Sequence, residues 1–382
     1  MSPHSDYTQD YVMKIDKIVL RKMKMTLKTP FTTSFATQTE KHFSIAEVHA
    51  EGHIGYGDCS AISLPFYNEE TNITAWHIMR DFLIPMIKQA GDIQHPSQVR
   101  DIFSAVKRNN CAKAAIEGGI WDAYAKIKGI PLHQAIGGKR NKIEAGVSIG
   151  IQKSPDELVS VVDEFLRDGY KRIKIKIKPG HDYDYILALR QAFGDITLMA
   201  DANSAYTLDD IDLFKRLDKF NLIMIEQPLA HDDIVDHRKL QAAIATPICL
   251  DESIASVEDA RKAIELGSAK IINIKVARVG GITETILIHD YCQEHNIPVW
   301  CGGMLDTAVG KAHNIAVSTL PNFVYAHDIP PSSRYWHEDF MLPLVEIDKD
   351  SCVAVPNKPG IGFDINPRLY EKYCYEQECF LF

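Results

Sequence analysis

RIKIKIK (172–178), TLMADAN (197–203), LIMIEQP (222–228), PICLDES (247–253) and KIINIKV (270–276) are short apolar runs that each turn polar toward their C-terminal end. Lys176, Asp201, Glu226, Asp251 and Lys275 hold equivalent places in the five runs, separated by 25, 25, 25 and 24 residues. That spacing suits one strand–helix unit of a parallel barrel, so the five side chains fall at equivalent heights on adjacent strands. Barrel folds build their sites at the C-terminal ends of those strands. The array therefore predicts one pocket, ordered Lys, Asp, Glu, Asp, Lys around its rim.

Three further runs extend the pattern: EAGVSIG (144–150), IPVWCGG (297–303) and FVYAHDI (323–329). Between runs lie segments such as SPDELVSVVDEFLRDG and TLDDIDLFKRLDKF, which open with Ser or Thr and acidic residues, as helix N-termini favour. Strand–helix repetition implies right-handed crossovers and a parallel sheet. Eight runs favour a closed barrel over an open doubly wound sheet, and no G-x-G-x-x-G opens a helix after a strand. Gly280-Gly281 and Gly302-Gly303 read first as turns, with an anion-cradling role as the alternative.

Ahead of the barrel, residues 14–60 read as a β-meander with Gly52, Gly55 and Gly57 at turns or bulges. Residues 71–90 and 97–128 read as helices, the second with Val99, Ile102, Val106, Ala114, Ile116, Ile120 and Ala123 on one apolar face. Gly129 and Pro131 suit its stop. The expected organisation is an α+β domain over 1–135, an α/β barrel over 136–335, and a segment, 336–382, that returns to the first domain.

The chain carries a formal charge of −9, which argues against non-specific nucleic-acid binding. No apolar run approaches the roughly 18 residues that a membrane crossing needs. The opening MSPHSDYTQDYVMK has neither a basic nor an apolar signal region, so a cytoplasmic location is expected. The eight cysteines form no C-x-x-C pair and read as reduced, mostly buried thiols.

Three carboxylates on neighbouring strands would repel one another in a half-closed mouth, and a hard cation resolves that conflict. All-oxygen ligation selects Mg²⁺, with Mn²⁺ as a substitute, so Asp201, Glu226 and Asp251 are the expected metal ligands. An ammonium near a divalent cation has its pKa lowered, which suits Lys176 and Lys275 to act as bases. The implied chemistry is removal of a proton alpha to a carboxylate of a small-molecule substrate. Lys174 shares the face of Lys176 by strand alternation; Arg172 shares it lower down, and Lys178 reads as a rim charge.

KIKIKPG, ADAN, IEQP, CLDES, INIKVARVGG and VWCGGMLDTAVGKAHN, with YGDCSA, PFYNEET and DIPPSSRYWHEDF, together resemble the enolase superfamily. Within its muconate-lactonizing-enzyme subgroup, the chain is most similar to the o-succinylbenzoate synthase and N-succinylamino acid racemase subfamily. The resemblance implies a capping domain over a (β/α)7β TIM-like barrel, and a homo-oligomer. It makes Lys176 and Lys275 the acid/base lysines on opposite faces of the substrate, and Lys174 an auxiliary that binds the substrate carboxylate. Asn203 matches a polar residue beside the metal. Ser148 and Gly303-Met304 match substrate-contacting positions. TPFTTSFATQ (29–38) matches a capping loop that shuts over the substrate, which would bring Phe31 and Phe35 to the pocket.

The implied reaction is syn dehydration of SHCHC, a cyclohexadiene carboxylate, to o-succinylbenzoate in menaquinone synthesis. Lys176 would be base and then acid, with Lys275 a cation facing the enolate. Racemisation of an N-succinylamino acid would use the same lysines in alternation. Arg278 stands where racemase-competent members carry arginine, and its plain reading is a surface charge. Val276-Ala277 departs from the Pro-Gly frequent in the family. The alternatives are a dedicated N-acylamino acid racemase or dipeptide epimerase, and a catalytically silent binding protein, which five intact residues disfavour.

Overall fold

The computed structural model describes residues 12–32 and 36–382. Strands β1 (Ile15–Thr32), β2 (Thr37–Ala50) and β3 (His53–Cys59) form an antiparallel meander. Burial alternates along the middle of β1, where Met23, Met25 and Leu27 face inward and Lys24, Thr26 and Lys28 face out. A short strand, β4 (Lys142–Glu144), leads into seven parallel strands: β5 (Val147–Ile149), β6 (Arg172–Lys176), β7 (Thr197–Asp201), β8 (Ile225–Glu226), β9 (Ile248–Leu250), β10 (Ile271–Ile274) and β11 (Val299–Cys301). The tail adds β12 (Met341–Leu342), β13 (Cys352–Ala354), β14 (Asp364–Ile365) and β15 (Cys374–Leu381), the last pairing with β1 to give a four-stranded sheet.

The seven strands lie side by side in chain order. The eighth run closes the ring without a continuous ladder: Phe323 bridges to Val299 of β11 and His327 to Ala145 before β5. Helices such as Pro155–Arg167, whose Ser154 cap accepts from the Glu157 N–H, cover the outside. Inside, Met199, Met224, Cys249, Ile271 and Trp300 form a separate buried cluster. This apolar floor leaves the C-terminal mouth to polar groups. No helix among the described residues is long and apolar enough to cross a membrane.

Two details differ from the sequence reading. The expected helix over 97–128 is split into Gln98–Ile102 and Asn110–Ile127. Arg108 and Asn109 adopt positive φ of 50° and 54°, which no α-helix allows, and Val106 packs on the core from the intervening loop. Gly52 does sit in a turn, with φ 80°, but Gly55 and Gly57 lie within β3. A Cβ on Gly57 would stand 1.7 Å from the Ala115 carbonyl oxygen, and one on Gly55 2.0 Å from that of Gly119. These glycines let the helix Asn110–Ile127 lie directly on the sheet, backbone against backbone.

That helix also docks the first domain onto the barrel. Glu117 accepts from the Ile282 and Thr283 N–H groups at 2.7 and 2.8 Å, where the barrel helix Ile282–Glu294 begins. A carboxylate there satisfies orphan donors of a helix N-terminus. Burial nevertheless pushes its pKa up to about 7.

Two buried histidines make the fold acid-sensitive. Burial holds His313 down to about 4 and His327 down to about 3, from an ordinary 6.5. The unfolded chain therefore takes up these protons near 6.5, while the folded chain stays neutral. Their contribution to stability is full above that pH and is lost as pH drops toward 4. Chemical denaturation of the parent and of His313→Gln at pH 7 and pH 4.5 is expected to show the parent losing more stability than the variant between the two, by about 2 kcal/mol.

Candidate active site

Lys176, Asp201 and Glu226 end β6, β7 and β8 and share one register row. Asp251 and Lys275 directly follow β9 and β10. Parallel pairing thus delivers all five residues to one end of the barrel. Asp201, Glu226 and Asp251 are buried, and Lys275 is only 7% exposed. Charges so placed need partners, and each has them.

Lys176 Nζ donates to Asp201 Oδ2 at 2.6 Å and to Asn203 Oδ1 at 2.8 Å. Lys275 Nζ donates to Asp251 Oδ2 at 2.7 Å and to the Tyr67 hydroxyl at 3.0 Å. Lys174 lies between Asp328, Glu226 and Asp201 at 2.5, 3.2 and 3.5 Å, above the Trp300 ring. Asn273 donates to Glu226 Oε1 at 2.6 Å and accepts from the Gly302 N–H at 2.8 Å, fixing a carboxylate to the loop after β11. A Cβ on Gly302 would clash with Asn273 and Lys275, and one on Gly303 with the Asp328 carbonyl, so close packing rather than a turn accounts for the pair.

Arg278 is not a surface charge. It is 3% exposed, ion-pairs with Asp251 Oδ1 and donates to the Ile254 and Asn273 carbonyls. The short helix Val276–Val279 aims it back under the site. Lys275 and Arg278 therefore share one carboxylate. Lys178 is partly exposed beyond β6, and Arg172 is buried lower in the barrel, where it pairs with Asp328 at 2.8 Å.

Electrostatics set the carboxylates apart. Burial alone would raise Asp201, but Lys176 and Lys174 outweigh it and hold the group down to about 2. Burial and then the Asp201 charge push Glu226 up. Glu252 is pushed to about 7, chiefly by burial, with Asp201 and Glu226 adding to it. Its Oε1 accepts from Asn203 at 3.1 Å, and its Oε2 has no partner among the described residues. Lys275 is held above the ordinary lysine range: burial would lower it, and Tyr67, Glu226 and Glu252 overcome that.

A cavity opens above these groups. Lys174, Lys176, Lys275, Asn203, Ser148, Gly303 and Met304 line it, and Phe31 comes down from β1 against Tyr335. Phe35 lies outside the described residues. The sequence reading overlooked Tyr67, Asn273, Glu252, Asp328 and Lys311. Asp328 could have been found, since it stands near the C-terminal end of the eighth run as the others do in theirs. Tyr67 comes from the first domain and Lys311 from a helix, so neither follows the strand period.

Among the described residues, no three acidic, histidine or cysteine side chains already converge as a metal cage. Lysines and Arg278 occupy the carboxylate oxygens instead. The donor set still suits a hard cation: three carboxylates on adjacent strands, a raised Glu226, and an orphaned Glu252 oxygen. Members of the enolase superfamily generally depend on a divalent metal.

Residues 15–137 match the mandelate racemase / muconate lactonizing enzyme N-terminal domain, and residues 157–369 match the enolase C-terminal domain-like family. The chain belongs to the enolase superfamily, in its muconate-lactonizing-enzyme subgroup. It is 52% identical to an o-succinylbenzoate synthase of Geobacillus kaustophilus, over 94% of this chain and 96% of that one. It is 43% identical to an N-succinylamino acid racemase of Thermus thermophilus, over 94% and 97%. A solved enolase-superfamily member from Listeria innocua superposes with a TM-score of 0.94 at 41% identity, over 97% and 99% of the two chains. These relatives place the chain in the o-succinylbenzoate synthase and N-succinylamino acid racemase subfamily.

Removing the Asn273 side chain would leave the Glu226 carboxylate short of a donor at zero exposure. Were Glu226 to hold a divalent metal, Asn273→Ala would weaken its affinity by about 10- to 100-fold, the effect of losing a ligand-orienting partner. Calorimetric Mg²⁺ titration of the variant beside the parent checks this.

Proposed function

We propose that this protein is an o-succinylbenzoate synthase acting in the cytoplasm, dehydrating SHCHC for menaquinone synthesis, with Mg²⁺ held by Asp201, Glu226 and Asp251 and Mn²⁺ able to replace it. One observation carries the reading. Lys176 and Lys275 end the second and sixth of eight barrel positions, so they enter one cavity from opposite sides. The identity to named synthases supports the choice of reaction.

The bound metal would supply positive charge to offset the charge that develops on the substrate carboxylate. Lys176 takes the proton alpha to that carboxylate. It then returns the proton to the departing hydroxyl on the same face, so that water leaves and the ring becomes aromatic. Lys275 stays protonated and faces the electron-rich intermediate as a fixed cation. Lys174 neutralises the carboxylate end, and Asn203 keeps Lys176 aimed by accepting a hydrogen bond from its Nζ. Aromatic and aliphatic walls, Phe31, Ile62 and Met304, exclude water from the ring.

A second reading has its own support. Buried Arg278 shares Asp251 with Lys275, so one carboxylate is divided between two cations beside the cavity. Two lysines on opposite sides, either able to act as base, suit racemisation of an N-succinylamino acid. Steady-state assays with SHCHC and, in D₂O, with an N-succinylamino acid distinguish the outcomes. Dehydration that requires Mg²⁺ and falls by about 10³-fold or more in Lys176→Ala and in Lys275→Ala is expected. Full turnover by either variant sinks the mechanism. Exchange of the α-proton in the second assay adds racemisation.

A further inference from the structure

Lys311 stands apart from the charge network described above. It lies in the helix Ala308–Val317 that follows the Gly302-Gly303 loop, it lines the same cavity, and it is 2% exposed. Its Nζ has no hydrogen-bond partner among the described residues. Two acids face it, Asp306 and Asp339, and neither is within ion-pairing distance. Asp306 is already engaged, accepting from the Met304 N–H at 2.9 Å and from Asn314 Nδ2 at 3.0 Å. Asp339 accepts only from the Met341 N–H, at 3.4 Å through Oδ1.

An unpaired ammonium buried in a substrate cavity is costly unless a ligand brings its counter-charge. The other cavity lysines already hold carboxylates. Lys311 alone among them has its three donors unused. Lys174 lines the same cavity, and its walls also carry the apolar and aromatic groups Phe31, Met304, Leu305 and Tyr335. The cavity thus offers separate cationic groups beside apolar walls, a combination complementary to a dicarboxylate.

We propose that Lys311 binds a second, remote carboxylate of the substrate and so selects diacids over their monoacid analogues. The inference rests on the proposed function for what happens at the first carboxylate, and it assigns the succinyl end to this lysine. The contact is charge-assisted, so it carries specificity as well as affinity.

The test uses the Mg²⁺-loaded protein and binding rather than turnover. Calorimetry compares o-succinylbenzoate with its half-ester, in which only the succinyl carboxylate is blocked. The parent should bind the diacid about 10- to 100-fold more tightly, the range of one charge-assisted hydrogen bond. Lys311→Met should bring the two affinities within about two-fold of each other by weakening the diacid alone. Lys311→Arg should keep the preference, and Lys311→Gln supplies the neutral comparison if the methionine variant does not fold. A parent that does not discriminate, or a neutral variant that weakens both ligands equally or neither, overturns the proposal. Absence of SHCHC turnover with the binding preference intact would reject the synthase reading and leave the Lys311 assignment standing.

Discussion

Everything at the barrel mouth depends on balancing buried charge. Asp201, Glu226, Asp251 and Glu252 converge within a few residues of one another in chain register, and Lys174, Lys176, Lys275 and Arg278 are set against them. Any one of these groups alone would be expelled to solvent or neutralised. Together they stay buried because the cations of β6 and those after β10 flank the carboxylates of the three strands between them. The barrel floor of Met199, Met224, Cys249, Ile271 and Trp300 keeps water out from beneath. The same dryness strengthens every interaction above it.

Much of this was legible in the sequence because a barrel repeats. A period of about 25 residues can be read without knowing a single contact, and it placed the five charged side chains of the candidate site at the ends of five strands. The period says nothing about groups that reach the mouth from elsewhere. Tyr67 arrives from the loop after β3 and bonds Lys275; Lys311 arrives from a helix flank. Asn273 sits inside β10 with its side chain turned into the barrel, where a polar residue in an apolar run carries no sign of its partner Glu226. Arg278 read equally well as a surface charge, because the one-turn helix that folds it inward follows from packing rather than from local propensity.

The first domain was less legible for a related reason. Apolar spacing ran unbroken through Val106, yet Arg108 and Asn109 take left-handed backbone and divide the helix. Hydrophobic periodicity reports which residues are buried, and a loop can bury a valine as well as a helix can. Gly55 and Gly57 showed the converse. Their meaning lies across the sheet, in carbonyls of a helix some sixty residues further along the chain, and turn chemistry was the only local reading available.

The segment that follows β11 has a double duty. Asp58 of β3 accepts from the Thr307 hydroxyl and from the Gly310 N–H at 3.2 Å, Ser60 reaches Asp306, and Lys41 of β2 donates to the Met304 carbonyl at 2.6 Å. The latch between cap and barrel is thus the same stretch of chain that walls the cavity. Specificity and domain docking are inherited together here. A lineage that rewrote Met304 to Lys311 to accept a new substrate would loosen its own lid.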